Sequence, residues 1–202
     1  MRLHGSMTSP YVRKVRVLLD EKRLAHEFVR ENPRSLDSQV QALTPLGKVP
    51  VLRLDDGRTM IDSPVILEYL DGLSGEPLLP ARSEARWDVL HWTSLADGLL
   101  QALVNRLLEL RRPEPQRSPE TLAWEERRIA RVVDALAQAD TSRGYLVGGR
   151  FTLADLAVGV ALEYLDFRYP QDWRARHPAL GAWLTPISAR PSFTGTGLDT
   201  VP

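Results

Sequence analysis

Cysteine is absent from all 202 residues. That excludes disulfides, thiolate-held metals and any mechanism using the protein's own sulfur. Thiol chemistry, if it occurs here, needs a thiol brought by a bound small molecule. Net charge is absent as well, with 26 Lys and Arg against 26 Asp and Glu. No overall field draws the chain to nucleic acid or to an anionic membrane, and neither is expected as a partner. Lysine is scarce and occurs only at Lys14, Lys22 and Lys48. No apolar run approaches roughly 18 residues, and Met1-Arg2-Leu3-His4-Gly5 has no apolar leader core, so a soluble cytoplasmic protein is expected. His4, His26, His91 and His177 show no metal-ligand spacing, so no metal is expected.

What is present falls into two compositions. Residues 1–75 alternate strand and helix signals in the order βαβαββα. Arg2-Leu3-His4 is a short strand, residues 10–22 a helix and residues 25–30 a second strand. Residues 35–43 form a short, weak helix. Residues 49–54 and 59–61 are strands joined by the turn Asp55-Asp56-Gly57, and residues 63–73 are a helix. Strands joined through a helix are expected parallel, and the last pair antiparallel. Gly and Pro in Ser74-Gly75-Glu76-Pro77-Leu78-Leu79-Pro80 suit a linker, placed at 76–82. Strand signals then vanish, and 83–202 reads as an all-helical domain. Its helices are expected at 83–112, from Ser118-Pro119 onward, at 153–165 and at 179–190, with the last ten residues irregular. Trp87, Leu90, Leu95, Leu99, Leu103, Leu107 and Leu110 in the first, with Trp124, Ile129, Val132, Val133 and Leu136 in the second, read as packing faces; some of them could instead line an apolar cleft.

Three places in the first domain carry candidate chemistry. Ser9-Pro10 pairs a favoured N-cap residue with a favoured first helical residue. A hydroxyl there sits beside backbone N–H groups and the positive end of the helix dipole, which can hold an anion such as a thiolate. In Lys48-Val49-Pro50-Val51, the proline is either an ordinary strand opener or a cis residue. A cis bond would turn the Val49 N–H and C=O outward, toward an extended peptide-like ligand. Asp62-Ser63-Pro64 opens another helix, with Ser63 as its expected N-cap. That helix start also suits a carboxylate, and the adjacent Asp62 suits an ammonium. Lys48 would offer a cation to a second carboxylate. A tripeptide-like thiol, anionic at both ends, fits this layout.

These residues carry a family resemblance. Gly5-Ser6-Met7-Thr8-Ser9-Pro10-Tyr11-Val12-Arg13-Lys14, Thr44-Pro45-Leu46-Gly47-Lys48-Val49-Pro50-Val51-Leu52 and Asp62-Ser63-Pro64-Val65-Ile66-Leu67-Glu68-Tyr69-Leu70 resemble a cytosolic glutathione S-transferase. So does Gly148-Gly149-Arg150-Phe151-Thr152-Leu153-Ala154-Asp155-Leu156-Ala157, where Thr152 and Asp155 also read locally as a capping box and Phe151 with Leu156 as a hydrophobic staple. The likeness covers nearly the whole chain and is closest to the small bacterial YibF-like members. It implies a thioredoxin-like N-terminal domain, an all-α C-terminal domain and a homodimer. It implies glutathione as co-substrate, with Val49 pairing its cysteinyl backbone beside a cis Pro50. Asp62 and Ser63 would hold the γ-glutamyl end and Lys48 would meet the glycyl end. A small apolar electrophile would lie against the helical domain, and detoxification would be its role.

Relatives place Tyr, Ser or Cys at the sulfur. The lack of Cys sets aside activities that pass through a protein–glutathione mixed disulfide. Ser9 stands immediately before the proline, where cysteine-type relatives place their reactive residue. Thr8 stands two places before it, where serine-type relatives more often do. Either could donate to the thiol, or the helix N-terminus could act alone. The serine would be a hydrogen-bond donor, not a nucleophile, since no His/Asp partner accompanies it. The leading expectation is a transferase joining glutathione to small electrophiles. The alternative is a non-catalytic glutathione-binding or scaffold protein of the same fold. An isomerase is weaker, because the Ser-Cys run of maleylacetoacetate isomerase relatives is missing.

Overall fold

The computed structural model describes residues 1–169 and 171–198. The chain divides into two compact units. One comprises Met1–Leu79 and the segment from Arg190; the other is Pro80–Ala189.

The first unit is built on a mixed sheet of β1 (Arg2–Gly5), β2 (Glu27–Arg30), β3 (Val51–Arg53) and β4 (Thr59–Ile61), in the order β2-β1-β3-β4. β1 and β2 are parallel, whereas β1–β3 and β3–β4 are antiparallel, as the sequence predicts. Two longer helices cover the sheet, α1 (Pro10–Glu21) and α3 (Ser63–Asp71), and they pack on each other. Val12, Val15, Leu18 and Leu19 of α1 and Ile66 and Leu70 of α3 are all fully buried. The weak helix expected at 35–43 shrinks to a single turn, α2 (Val40–Leu43).

α1 is tied down at its far end by two polar clusters. Lys22, its C-cap, reaches the Asp71 carboxylate at 2.8 Å and the carbonyls of Asp71, Ser74 and Glu76 at 3.0, 2.9 and 2.8 Å. Asp71 in turn accepts from Leu78 N and Leu79 N, each at 2.8 Å, which fixes the Gly/Pro-rich stretch. Beside it, Glu21 accepts from Arg190 at 2.8 and 2.7 Å and from Ser192. Burial pushes the Glu21 pKa up, but the bonds from Arg190 and Ser192 outweigh it and hold it below the ordinary value. These contacts seat a one-turn helix, α9 (Pro191–Thr194), against α1. The sequence reading had the tail from residue 193 irregular and placed 190–202 with the helical domain. The structure instead carries helix through Thr194 and groups this segment with the first unit. Residues 199–202 lie outside the described residues.

The helical unit contains α4 (Glu84–Leu110), a 3-10 turn (Glu114–Gln116), α5 (Pro119–Leu136), α6 (Leu153–Arg168), α7 (Trp173–Arg176) and α8 (Pro178–Ser188). α4 packs against both α5 and α6. Every residue from 153 to 162 is buried, so α6 is the central helix, apolar on all sides. The predicted packing stripes need one correction. Leu99 and Leu103 of α4 and Ile129, Val133 and Leu136 of α5 are buried, but Trp87 and Trp124 are 64% and 55% exposed. Both lie in the early turns of their helices, and Val89 takes the inward position near Trp87.

Candidate functional site

The sheet register decides which candidate residues meet. His4 near the end of β1 pairs with Val51 at the start of β3, and Val51 pairs with Ile61 at the end of β4. The loop after β1, the segment before β3 and the segment after β4 therefore leave the sheet at one end. Thr8 and Ser9 lie in the first, Lys48, Val49 and Pro50 in the second, and Asp62 and Ser63 in the third. Residues up to 55 apart in the chain share one edge because β3 lies between β1 and β4 and runs opposite to both.

Gly5 lets the first segment approach its helix. A Cβ at this position would meet the Val12 methyls at 2.5 and 2.6 Å. Only a residue without a side chain brings the strand end so close to α1. A glycine closing a strand just before a loop was the available signal, and the sequence reading passed over it. Residues 6–9 then turn, with Ser9 N donating to Ser6 O at 3.2 Å. Ser9 is the N-cap of α1, and its Oγ accepts from Val12 N at 3.3 Å. That bond uses a lone pair of the hydroxyl and leaves its proton available to donate. The Thr8 hydroxyl makes no hydrogen bond among the described residues.

The second segment follows a tight turn. Thr44 is buried, and its Oγ1 accepts from Leu46 N at 3.2 Å. Gly47 at φ 57 redirects the chain into Lys48. The Val49-Pro50 peptide is cis. Neither the N–H nor the C=O of Val49 is hydrogen-bonded among the described residues. Lys48 is exposed and forms no ion pair there.

The third segment departs from expectation by one position. Asp62, not Ser63, is the N-cap of α3, and Pro64 is the second helical residue. Asp62 has φ 70 and ψ 122, a region that disfavours side chains, and its carboxylate makes no capping bond. Ser63 is buried in the first turn. Neither side chain forms a hydrogen bond among the described residues. A carboxylate and a hydroxyl are thus displayed at a helix N-terminus in a conformation the local helix does not need.

In sum, the sheet end presents two free hydroxyls, an unbonded peptide group, a carboxylate and an ammonium. Such a set can bind an extended molecule with an ammonium, a carboxylate and a peptide backbone. No group of three or more metal-ligating side chains occurs among the described residues. No helix there is long and apolar enough to cross a membrane.

A two-part fold of this kind, with this site on its α/β part, defines the glutathione transferase class. Residues 3–78 match the family described as Glutathione S-transferase, N-terminal domain, and residues 95–185 match Glutathione S-transferase, C-terminal domain. The chain belongs to the glutathione S-transferase family. It is 36% identical to the uncharacterized GST-like protein YibF of Escherichia coli K12, over 97% of this chain and 98% of that one. A glutathione S-transferase from Methylobacillus flagellatus KT, with glutathione bound, superposes with a TM-score of 0.95 at 37% identity, over 98% and 99% of the two chains. Another, from Methylobacterium radiotolerans in complex with glutathione sulfonate, gives 0.93 at 38%, over 100% and 97%.

Proposed function

We propose that the chain binds glutathione at this sheet end, as its thiolate, and transfers it to small apolar electrophiles. The observation that carries the reading is the unbonded Val49 peptide group ahead of cis Pro50. Such a group pairs with an added strand-like backbone, and the cysteinyl part of glutathione supplies one. Asp62 and Ser63 take the γ-glutamyl ammonium and carboxylate, and Lys48 takes the glycyl carboxylate. The glutathione complex of one relative and the glutathione sulfonate complex of another support the ligand class, and the second ligand has an anionic sulfonate in place of the thiol.

The sulfur lies at the start of α1, where Ser9 donates its free proton to it and the helix dipole favours the charged form. Thr8 is the second candidate donor. The thiolate attacks the electrophilic carbon and a C–S bond forms. The leaving group departs with its electron pair or, in an addition, the carbon takes a proton from water. Positioning supplies much of the acceleration. The protein acts as a cytoplasmic homodimer in detoxification, and sedimentation of the purified chain tests the dimer.

Ser9→Ala lowers conjugation turnover by about tenfold with glutathione affinity nearly unchanged. If turnover survives in Ser9→Ala but collapses in Thr8→Val, Thr8 is the donor. Retention on immobilised glutathione without turnover over a panel of electrophiles marks the non-catalytic alternative. No retention with millimolar glutathione removes both readings.

A further inference from the structure

The segment that carries Lys48 and Val49 follows α2, a single turn without a charged residue, whose N-cap residue makes no capping bond. A single turn is not stable in water by itself, so something else must place it. Glu31, the residue after β2, does so from two sides. Its backbone N–H donates to Gly5 O at 2.9 Å, at the start of the loop that carries Thr8 and Ser9. Its carboxylate pairs with His4 Nδ1 at 3.2 Å and accepts from Ser38 Oγ at 2.9 Å. Ser38 Oγ accepts in turn from the N–H of Val40, the first residue of α2, at 3.3 Å. The path continues from Thr44 N to Val40 O at 2.9 Å and from Gly47 N to Thr44 O at 3.3 Å, and Lys48 is the next residue.

His4 is the fixed end of this path. A Cβ on Gly5 would point at Val12 of α1, so His4, one step back along β1, faces the other side of the sheet. Its register partners, Val29 and Val51, are uncharged. The His4 and Glu31 side chains are 3% and 9% exposed. His4 Nε2 is buried and has no hydrogen-bond partner. Such an atom costs stability, and an aliphatic residue between two valines would avoid the cost. The bond to Glu31 is what an aliphatic residue could not make. Departures of this kind from the locally best residue concentrate at functional sites.

We propose that Glu31 is a positioning residue for the glycyl end of glutathione: it couples His4 and the loop after β1 to α2, and so sets where Lys48 and Val49 stand relative to Ser9. The proposal rests on the glutathione reading. The test is calorimetric titration with glutathione and with γ-glutamylcysteine, which lacks the glycyl carboxylate. Glu31→Ala weakens glutathione about tenfold and the dipeptide only about threefold, so the preference for the tripeptide falls about threefold. Ser38→Ala lowers that preference about twofold, and Arg34→Gln, on the same loop, does not move it. Without ligand, the Val40, Thr44 and Gly47 amides exchange at least about tenfold faster in Glu31→Ala, while the Ile66 amide of α3 is unchanged. A general loss of stability would instead move both ligands and both helices together. If Glu31→Ala does not fold, by circular dichroism, Ser38→Ala decides both readouts. An unmoved tripeptide preference, or unmoved exchange at residues 40–47, in a folded variant overturns this inference and leaves the glutathione reading intact. A wild type that binds neither ligand removes that reading and this one with it.

Discussion

At the start of α6, the side chains of Thr152 and Asp155 bond only to their own neighbourhood. At the start of α3, the side chains of Asp62 and Ser63 bond to nothing among the described residues. The chemistry is the same, a carboxylate with a hydroxyl at a helix N-terminus. In α6 the Asp155 carboxylate accepts from Leu146 N at 2.8 Å, Thr152 N at 2.8 Å and Thr152 Oγ1 at 2.9 Å, completing a capping box in a fully buried setting. In α3 the N-cap carboxylate is exposed, its backbone sits at φ 70, and the cap bond is missing. The first arrangement serves folding. The second spends local stability to display polar groups, which proteins tolerate mainly where a ligand uses them.

The sharpest break in this comparison is Asp155→Ala. It leaves three donors, two of them buried, without an acceptor and lowers unfolding free energy by about 3 kcal/mol, read from denaturant midpoints. Glutathione affinity per folded molecule stays unchanged. The pH dependence has a defined sign. Burial is the largest influence on Asp155 and raises its folded pKa above 3.8. A raised carboxyl pKa means that folding takes up a proton, so the stability this group contributes is fullest below 3.8 and falls as pH rises through the folded value. The gap between the wild type and Asp155→Ala therefore widens on acidification. A gap that narrows instead contradicts burial as the dominant influence.

Asp62→Gly carries two effects of opposite sign. Glycine accepts φ 70 without strain, so stability rises by about 1 kcal/mol. The lost carboxylate weakens glutathione binding by about tenfold. Calorimetric titration and urea unfolding on one preparation read both. If stability falls, the Asp62 backbone is not strained; if affinity holds, Asp62 does not touch the ligand.

The same contrast explains what could be read from sequence. The α6 start was legible because a capping box is a local pattern of Thr152 and Asp155 with an apolar run behind them. Ser9-Pro10 was legible for the same reason, and the parallel β1–β2 pair and the β3–β4 hairpin followed from element order. The α3 start was read one residue late. Asp-Ser-Pro is a sound N-cap sequence for Ser63, and nothing local shows Asp62 adopting a left-handed φ. The cis bond at Val49-Pro50 stood only as one of two options until the resemblance favoured it. Contacts across long separations were invisible: Glu21 meets Arg190 across 169 residues, and no periodicity predicts that α9 returns to α1. Trp87 and Trp124 failed because helical spacing shows a stripe without showing what faces it.

Lys48 gives the smallest expected effect and the finest distinction within the α3-side site. Asp62 is fixed by backbone geometry at a helix terminus, whereas Lys48 is an exposed point charge on a flexible four-carbon stem. Exposed ion pairs contribute roughly 0.2–1 kcal/mol. Lys48→Met should therefore weaken glutathione binding only about two- to fivefold, against about tenfold for Asp62→Gly. The Lys48 effect is screened by salt, so titrations at about 0.05 M and 1 M ionic strength should shrink it while leaving most of the Asp62 effect in place. Equal salt sensitivity at both positions would mean that Asp62 also acts only as a diffuse surface charge. The strained α3 start would then have lost its explanation as a ligand-binding terminus.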